Sequence, residues 1–261
     1  MKDRAKKKSP VPSARSDRPA KASPLTLAIV GAKGRMGQAV AKYATSVGFS
    51  HVIAIDVKDS LAQALKGASV VIDFSSNEGT RALAEVAKKK RIPLVIGTTG
   101  IEPETRKLLE AAARVSPVFI ATNMSYGVYV LGVLAEKARE LLGDAFDVEI
   151  VEVHHKLKID APSGTALTLA TKLRAPQLRA VNGRAGKPGA RPATDLGFHA
   201  VRGGDVIGDH TLHFLGAGER LELTHRATSR DLFAMGALRA AKAIVSFGPG
   251  TYGMDDIAGG N

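Results

Sequence analysis

From residue 25 to residue 123 the chain alternates between two kinds of segment, a short apolar run rich in β-branched residues and a stretch with apolar residues at helical spacing, without an internal sequence repeat. The runs are LTLAIVG (25–31), HVIAID (51–56), SVVIDFS (69–75), IPLVIGTTG (92–100) and SPVFIATN (116–123). Between them, Met36, Val40, Tyr43 and Val47 mark a helix over 35–47, and further helices are predicted over 59–66, 77–90 and 102–114. Strands that are apolar throughout have both faces covered, and their alternation with helices imposes parallel crossovers. The predicted fold class is α/β, with a Rossmann-like doubly wound parallel sheet.

After Asn123 the pattern changes. A long helix over 126–142 leads to the strand FDVEIVEVHH (146–155), and a helix opens at Ser163 and runs to about Leu173. Residues 174–195 read as loop, rich in Gly, Pro and Arg. The segment 197–227 holds three strand-like runs broken by Gly-Gly and Gly-Ala-Gly turns, which predicts antiparallel pairing. A last helix is predicted over 230–245. This second region is expected to be α+β, with a mixed or antiparallel sheet.

Charge needs locating before it is interpreted. The net charge is +12, but residues 1–24 alone hold eight Lys and Arg against two Asp. Half the excess thus sits in a Pro/Ser/Lys-rich segment with almost nothing apolar to bury, read as a disordered basic tail. A solvated tail, a polyanion-binding arm and a targeting segment all remain open for it, and nucleic-acid contact is expected to be confined to non-specific contacts there. The segment has no apolar core of the kind a secretory signal carries, and no run approaches a membrane span. Cysteine is absent, which removes disulfides, thiol nucleophiles and zinc–thiolate sites. No metal ion is expected, and the location expected is cytoplasmic.

The first strand runs into GAKGRMG, placing Gly31, Gly34 and Gly37 at the spacing G-x-x-G-x-x-G. Glycines at a strand–helix turn let the backbone approach a pyrophosphate, whose charge the helix N-terminus favours. Asp56, at the end of the second strand, is placed to accept from adenosine ribose hydroxyls. GTTG (97–100) and ATNM (121–124) fall at the carboxyl ends of later strands, where open parallel sheets bind ligands. A tight turn with glycines for packing is the plainer alternative. Asp56 would repel a 2′-phosphate and favours NADH, while Lys58 leaves NADPH open.

Glu152–Ala166, EVHHKLKIDAPSGTA, concentrates two histidines and two lysines ahead of a helix start. On a strand His154 and His155 diverge to opposite faces, and Lys156 and Lys158 share a side if the extended geometry continues. Pro162 ends it, and Ser163, Gly164 and Thr165 supply a cap-like entry whose free N–H groups suit a carboxylate. Cations, donor backbone and a titratable imidazole equip the segment to bind a small di-acid and move a proton. The plainer alternative is a solvated basic turn at a strand end.

Taken with GAKGRMG, VIDFSS, VIGTTG, ATNMSYGV and GFHAVRGGDVIGDHTLHF, this stretch resembles the bacterial 4-hydroxy-tetrahydrodipicolinate reductases (dihydrodipicolinate reductases) of the diaminopimelate route to lysine. The likeness covers about residues 25–256. It implies a dinucleotide-binding domain from 25–125 plus 230–261, and a domain over 126–229 that binds substrate and assembles a homotetramer. It implies NAD(P)H as hydride donor to C4 of a cyclic imine dicarboxylate. His154 and Lys158 are then the proton-transfer pair, and His155, Gly164 and Thr165 contact substrate carboxylate. Cofactor contacts are implied at Gly31, Ala32, Lys33, Gly34, Arg35, Met36, Asp56, Gly97, Thr98, Thr99, Ala121, Thr122, Asn123 and Met124. Two departures bear on the adenosine pocket: a short link between Asp56 and VIDFSS, and Val57 where some relatives carry an Arg. A different small-substrate Rossmann reductase, acting on an amino-acid-like or semialdehyde substrate, and a nucleic-acid-binding protein using the fold as scaffold are the competing readings.

Overall fold

The computed structural model describes residues 24–258; the basic tail therefore lies outside the described residues, apart from Pro24. The first sheet is built from β1 (Leu25–Val30), β2 (Phe49–Ile55), β3 (Val70–Asp73), β4 (Leu94–Ile96) and β5 (Pro117–Ile120). Helices α1 (Arg35–Ala44), α2 (Leu61–Ala64), α3 (Asn77–Lys90) and α4 (Pro103–Ala113) link them. All pairings in this sheet are parallel, as the apolar runs predict. The remaining elements are α5 (Tyr126–Leu142), β6 (Asp147–His154), α6 (Gly164–Lys172), β7 (Arg179–Asn182), β8 (Asp195–Arg202), β9 (Gly208–Leu215), β10 (Arg220–Ala227), α7 (Asp231–Ile244), β11 (Gly250–Tyr252) and α8 (Met254–Ile257).

The six-stranded order is β11-β5-β4-β3-β1-β2. The strand order switches sides at β1, with β2 on one flank and β3 on the other, and this opens a crevice at the carboxyl ends of β1 and β3. Two apolar layers cover this sheet. One packs Leu27, Ile29, Val40 and Phe49 against α7 through Ala237, Leu238 and Ile244. The other packs Ala28, Val71, Leu94 and Ile96 against α3 and α4. Strand β11, which carries no apolar alternation and escapes the sequence reading, extends the sheet beyond β5.

The second sheet has the order β10-β9-β6-β8-β7. Val148, Ile150, Leu212 and Phe214 bury one face against α5 and α6. Glu149, Thr211, Thr224 and Glu222 lie on the other, which is polar. Two expectations are corrected here. The stretch 174–195 contains β7, an edge strand whose single partner and exposed side chains leave no periodic signal. The three runs of 197–227 are not all antiparallel: β9 and β10 pair that way, whereas β8 runs parallel to β6 and β7. The Gly203–Gly204 turn is not a hairpin, because it carries the chain over the end of β6 from one side to the other. Backbone bonds fix that passage: Gly203 N–H to His154 O (2.9 Å), His155 N–H to Val206 O (2.7 Å) and Lys156 N–H to Gly204 O (3.3 Å).

Candidate active site

The cleft sits where the carboxyl ends of the first sheet face the end of β6. Its volume is about 610 Å³, and it is lined from one side by Gly34, Arg35, Met36, Phe74, Ser75, Gly97, Thr98, Thr99, Thr122, Asn123 and Met124. From the other side come His154, His155, Lys158, Thr165 and Ile207, with Arg230 and Phe233 at the start of α7. Larger hollows exist, one of about 950 Å³ between the turn after α1 and α7 and one of about 700 Å³ that holds Asp147, His213, Arg220 and Glu222, but neither touches the carboxyl ends of the first sheet. The structure thus brings most of the sequence-derived candidates to one cavity. Gly31, Ala32, Lys33, Asp56, Ala121 and Gly164 lie outside its lining, in the turns that frame it.

The glycine turn fits a dinucleotide. Gly31 has φ 78°, a left-handed conformation that disfavours side chains. A Cβ on Gly37 would stand 2.3 Å from Gly31 O, so the helix can approach the turn only without one. Gly34 caps α1 with no side-chain hydrogen bond, which leaves the helix's first N–H groups available to a pyrophosphate. Asp56 accepts from Lys33 N–H (3.2 Å) and Val57 N–H (2.9 Å). The Val57 bond leads in holding its carboxyl below the usual carboxylate range. An ionised acid therefore stands beside the glycine turn.

Asp73, at the end of β3, escapes the sequence reading and organises the cleft floor. It is fully buried and accepts from Ser75 N–H (3.0 Å) and from the hydroxyls of Ser75 and Thr80. Burial pushes its carboxyl up, against the hydrogen bonds of Ser75, Thr80 and Thr98. Ser75 N–H also donates to Thr98 Oγ1 (3.0 Å), which ties the β3 and β4 ends together. An acid ending an otherwise apolar strand was the available signal.

On the opposite wall, Ser163 caps α6 by accepting from Ala166 N–H (3.1 Å). The N–H groups of Gly164 and Thr165 then open the helix unpaired within it. Thr165 Oγ1 accepts from Asn123 Nδ2 (2.9 Å), and Asn123 Oδ1 accepts from Ser125 N–H (2.8 Å) at the cap of α5. That pair of bonds joins the first-sheet loops to the start of α6. Lys158 Nζ donates to both oxygens of Asp160 (2.7 and 2.9 Å). The imidazole of His154 is buried, and burial lowers its pKa, with Glu152 acting in the other direction.

Beneath His154, one donor atom from each of Glu152, His154 and His210 lies within 4.8 Å of the others, a spacing compatible with a cation. Their existing bonds argue against one. The Glu152 carboxylate is neutralised by Arg202 Nη2 (2.8 Å) and takes Ser163 N–H (3.1 Å), while His210 Nε2 meets Ser163 Oγ (3.2 Å). Arg202, His210, Arg230 and Phe233 are site residues that sequence reasoning missed, since they converge from β8, β9 and α7.

Family models described as "Dihydrodipicolinate reductase, N-terminus" and "Dihydrodipicolinate reductase, C-terminus" match residues 25–124 and 127–258. The chain is similar to the 4-hydroxy-tetrahydrodipicolinate reductase of Anaeromyxobacter dehalogenans, 45% identical over 239 residues, covering 89% of this chain and 88% of the relative. It is 44% identical over 261 residues to the enzyme of that name from Thiobacillus denitrificans, covering 89% and 98%. Among solved structures, the dipicolinate-bound dihydrodipicolinate reductase from Paenisporosarcina sp. TG-14 superposes with a TM-score of 0.71. That match is 22% identical, spans 90% of this chain and 99% of the other, and is a likeness of fold.

Proposed function

The chain belongs to the dihydrodipicolinate reductase family, and from that premise we propose how its cleft performs the family's reaction. It reduces 4-hydroxy-tetrahydrodipicolinate to tetrahydrodipicolinate with a reduced pyridine nucleotide, a step of the diaminopimelate route to lysine. The observation that carries the reading is the single cleft in which the glycine-turn sheet ends face His154, Lys158 and the α6 entry.

Loss of water from the hydroxylated ring gives a conjugated cyclic imine. The nucleotide, when bound, supplies hydride to C4, and electron density moves along the conjugated system toward the ring nitrogen. One proton must then reach the ring, so hydride and proton together make the reduced product. His154 and Lys158 are the proton-transfer pair at that wall. Burial alone leaves His154 a weak base, but the two carboxylates of an entering substrate favour its charged form. His155 and the N–H groups of Gly164 and Thr165 hold a substrate carboxylate, and the Asn123–Thr165 bond keeps that anchor in register with the cofactor side. Gly31–Met36, Asp56, Gly97–Thr99 and Ala121–Met124 hold the nucleotide. Residues 25–125 with 230–261 make the cofactor domain, and 126–229 the substrate and assembly domain.

NADH is the favoured donor, because an ionised Asp56 accepts from ribose hydroxyls and repels a 2′-phosphate. A homotetramer is supported by the polar, helix-free face of the second sheet, where Val201 is also exposed. Reduced pyridine nucleotide is regenerated in the cytoplasm, which supports that location. Among the described residues, no helix is long and apolar enough to cross a membrane.

The test is a coupled assay in which the preceding synthase generates substrate and nicotinamide absorbance is followed with NADH and NADPH in parallel. Oxidation faster with NADH is expected. No oxidation of either nucleotide overturns the function, and a preference for NADPH overturns the role given to Asp56. Light scattering of the purified chain checks the tetramer.

A further inference from the structure

Glu152 and His154 stand two apart on β6, so their side chains leave the same face of the strand. Glu152 is 1% exposed. Both its oxygens lie 3.1 Å from Ser163 N, and Arg202 Nη2 donates to Oε1 at 2.8 Å. Arg202 also donates to Asp160 O (2.7 Å), so the carboxylate is fixed from β8, from α6 and from the loop between. With its position set this way, Oε2 faces His154 Nδ1 at 3.7 Å. That nitrogen is enclosed and has no hydrogen-bond partner of its own.

The ring lines the cleft, and its opposite edge lies against residue 208. His154 Nε2 lies 3.0 Å from where a Cβ on residue 208 would stand, and that residue is glycine. We infer that Glu152 is the positioning residue for His154: facing Nδ1, it favours the neutral ring's proton on that atom, leaves Nε2 as the atom that carries the transferred proton, and stabilises the imidazolium. The inference rests on the proposed role of His154 in the reaction.

The charges around the ring give Glu152 its importance. Arg202 from β8 and Lys158 from the following loop oppose a charged His154, whereas Glu152 and Asp160 favour it. His210, on β9, packs edge-on against His154 with ring centroids 5.1 Å apart. It adds no charge at neutral pH, because burial holds it at about 4, and His225 on β10 stands behind it. Without the Glu152 charge, burial and two cations act on His154 with only the more exposed Asp160 against them.

The test is the Glu152→Gln variant, with Glu152→Asp as the charge-retaining control. Histidine-selective NMR of the wild type, without substrate, is expected to show His154 in the Nδ1–H tautomer. In Glu152→Gln its pKa is expected to fall by about 1 unit or more, the effect of losing an opposite charge at this range. The descending limb of the kcat–pH profile should move to lower pH by the same amount with KM unchanged, and Glu152→Asp should recover most of the shift. An Nε2–H tautomer in the wild type overturns the inference, and this readout survives even if the glutamine variant fails to fold. An unmoved His154 pKa, or equal shifts in both variants, overturns it as well. Absence of reductase turnover in the wild type would instead remove the proposed function, leaving the tautomer and pKa readable by themselves.

Discussion

Lys158 carries one charge that two partners can claim. In the free protein both oxygens of Asp160 hold its Nζ, in a side chain 20% exposed. A substrate carboxylate entering the cleft competes with Asp160 for that ammonium, while the ring needs a proton nearby. The two roles separate in kinetics. Lys158→Ala is expected to lower kcat by about 10²–10⁴-fold, the range of a positioned proton-transfer group, in steady-state assays at saturating substrate. A rise in KM with unchanged kcat would make it a carboxylate binder alone. Much of this wall was legible because EVHHKLKIDAPSGTA is contiguous, so chain geometry alone keeps His154, Lys158 and Thr165 near one another. Glu152 stands in the same stretch, yet its task was not legible. The task depends on Arg202, which is 50 residues away and brought alongside only by the β6–β8 pairing.

That pairing also explains why the second sheet was harder to read than the first. Apolar runs without alternation announce a parallel sheet covered on both faces, whereas β8 looks like the first arm of a hairpin, because Gly203–Gly204 follows it. What places β8 beside β6 is partly a charge cluster on the open face. Glu149 accepts from Arg184 (3.0 and 3.1 Å), Arg191 (2.8 Å) and His199 (2.7 Å), and so ties the 183–192 loop to the middle strand. Burial alone would raise the Glu149 carboxyl, but these bonds reverse that and hold it at about 2 against an ordinary 4.5. A carboxyl depressed in the fold stabilises it fully above the unfolded value, and the contribution is lost as the pH falls through the folded one. The window is therefore pH 4.5 down to 2, and the shift corresponds to about 3 kcal/mol. Glu149→Gln is expected to be less stable at neutral pH, because Arg184 and Arg191 lose the carboxylate they share and keep only Asp195 and Asp147 as acidic partners. Its urea midpoint should fall less steeply than that of the wild type on acidification through this window. Parallel slopes would remove Glu149 as the source.

At the scale of the molecule, the chain leaves the first sheet near Asn123, builds the second, and returns near Arg230 to finish the first. The return is not an appendage. Ala237, Leu238, Ala241 and Ile244 of α7 fill the same core as Leu27, Ile29, Val40 and Phe49, and Asp231 accepts from Tyr43 Oη (2.6 Å). Helix α7 also passes so close to the outgoing crossing that a Cβ on Gly236 would lie 1.7 Å from Met124 O. Each fully buried Leu or Ile contributes about 1.5–3 kcal/mol. Losing Leu238, Ile244 and Ile257 together thus costs about 6 kcal/mol, comparable with the whole stability of a domain of this kind. A fragment of residues 24–125 is accordingly expected to show no cooperative urea transition. Because the two crossings run side by side, joining residue 125 to residue 228 with a short Gly/Ser linker should restore the transition. That fusion should also bind reduced nucleotide, seen as enhanced nicotinamide fluorescence, but without turnover, since His154 and Lys158 are gone. Cooperative unfolding and undiminished nucleotide binding by 24–125 alone would show that the cofactor fold does not need the returning chain.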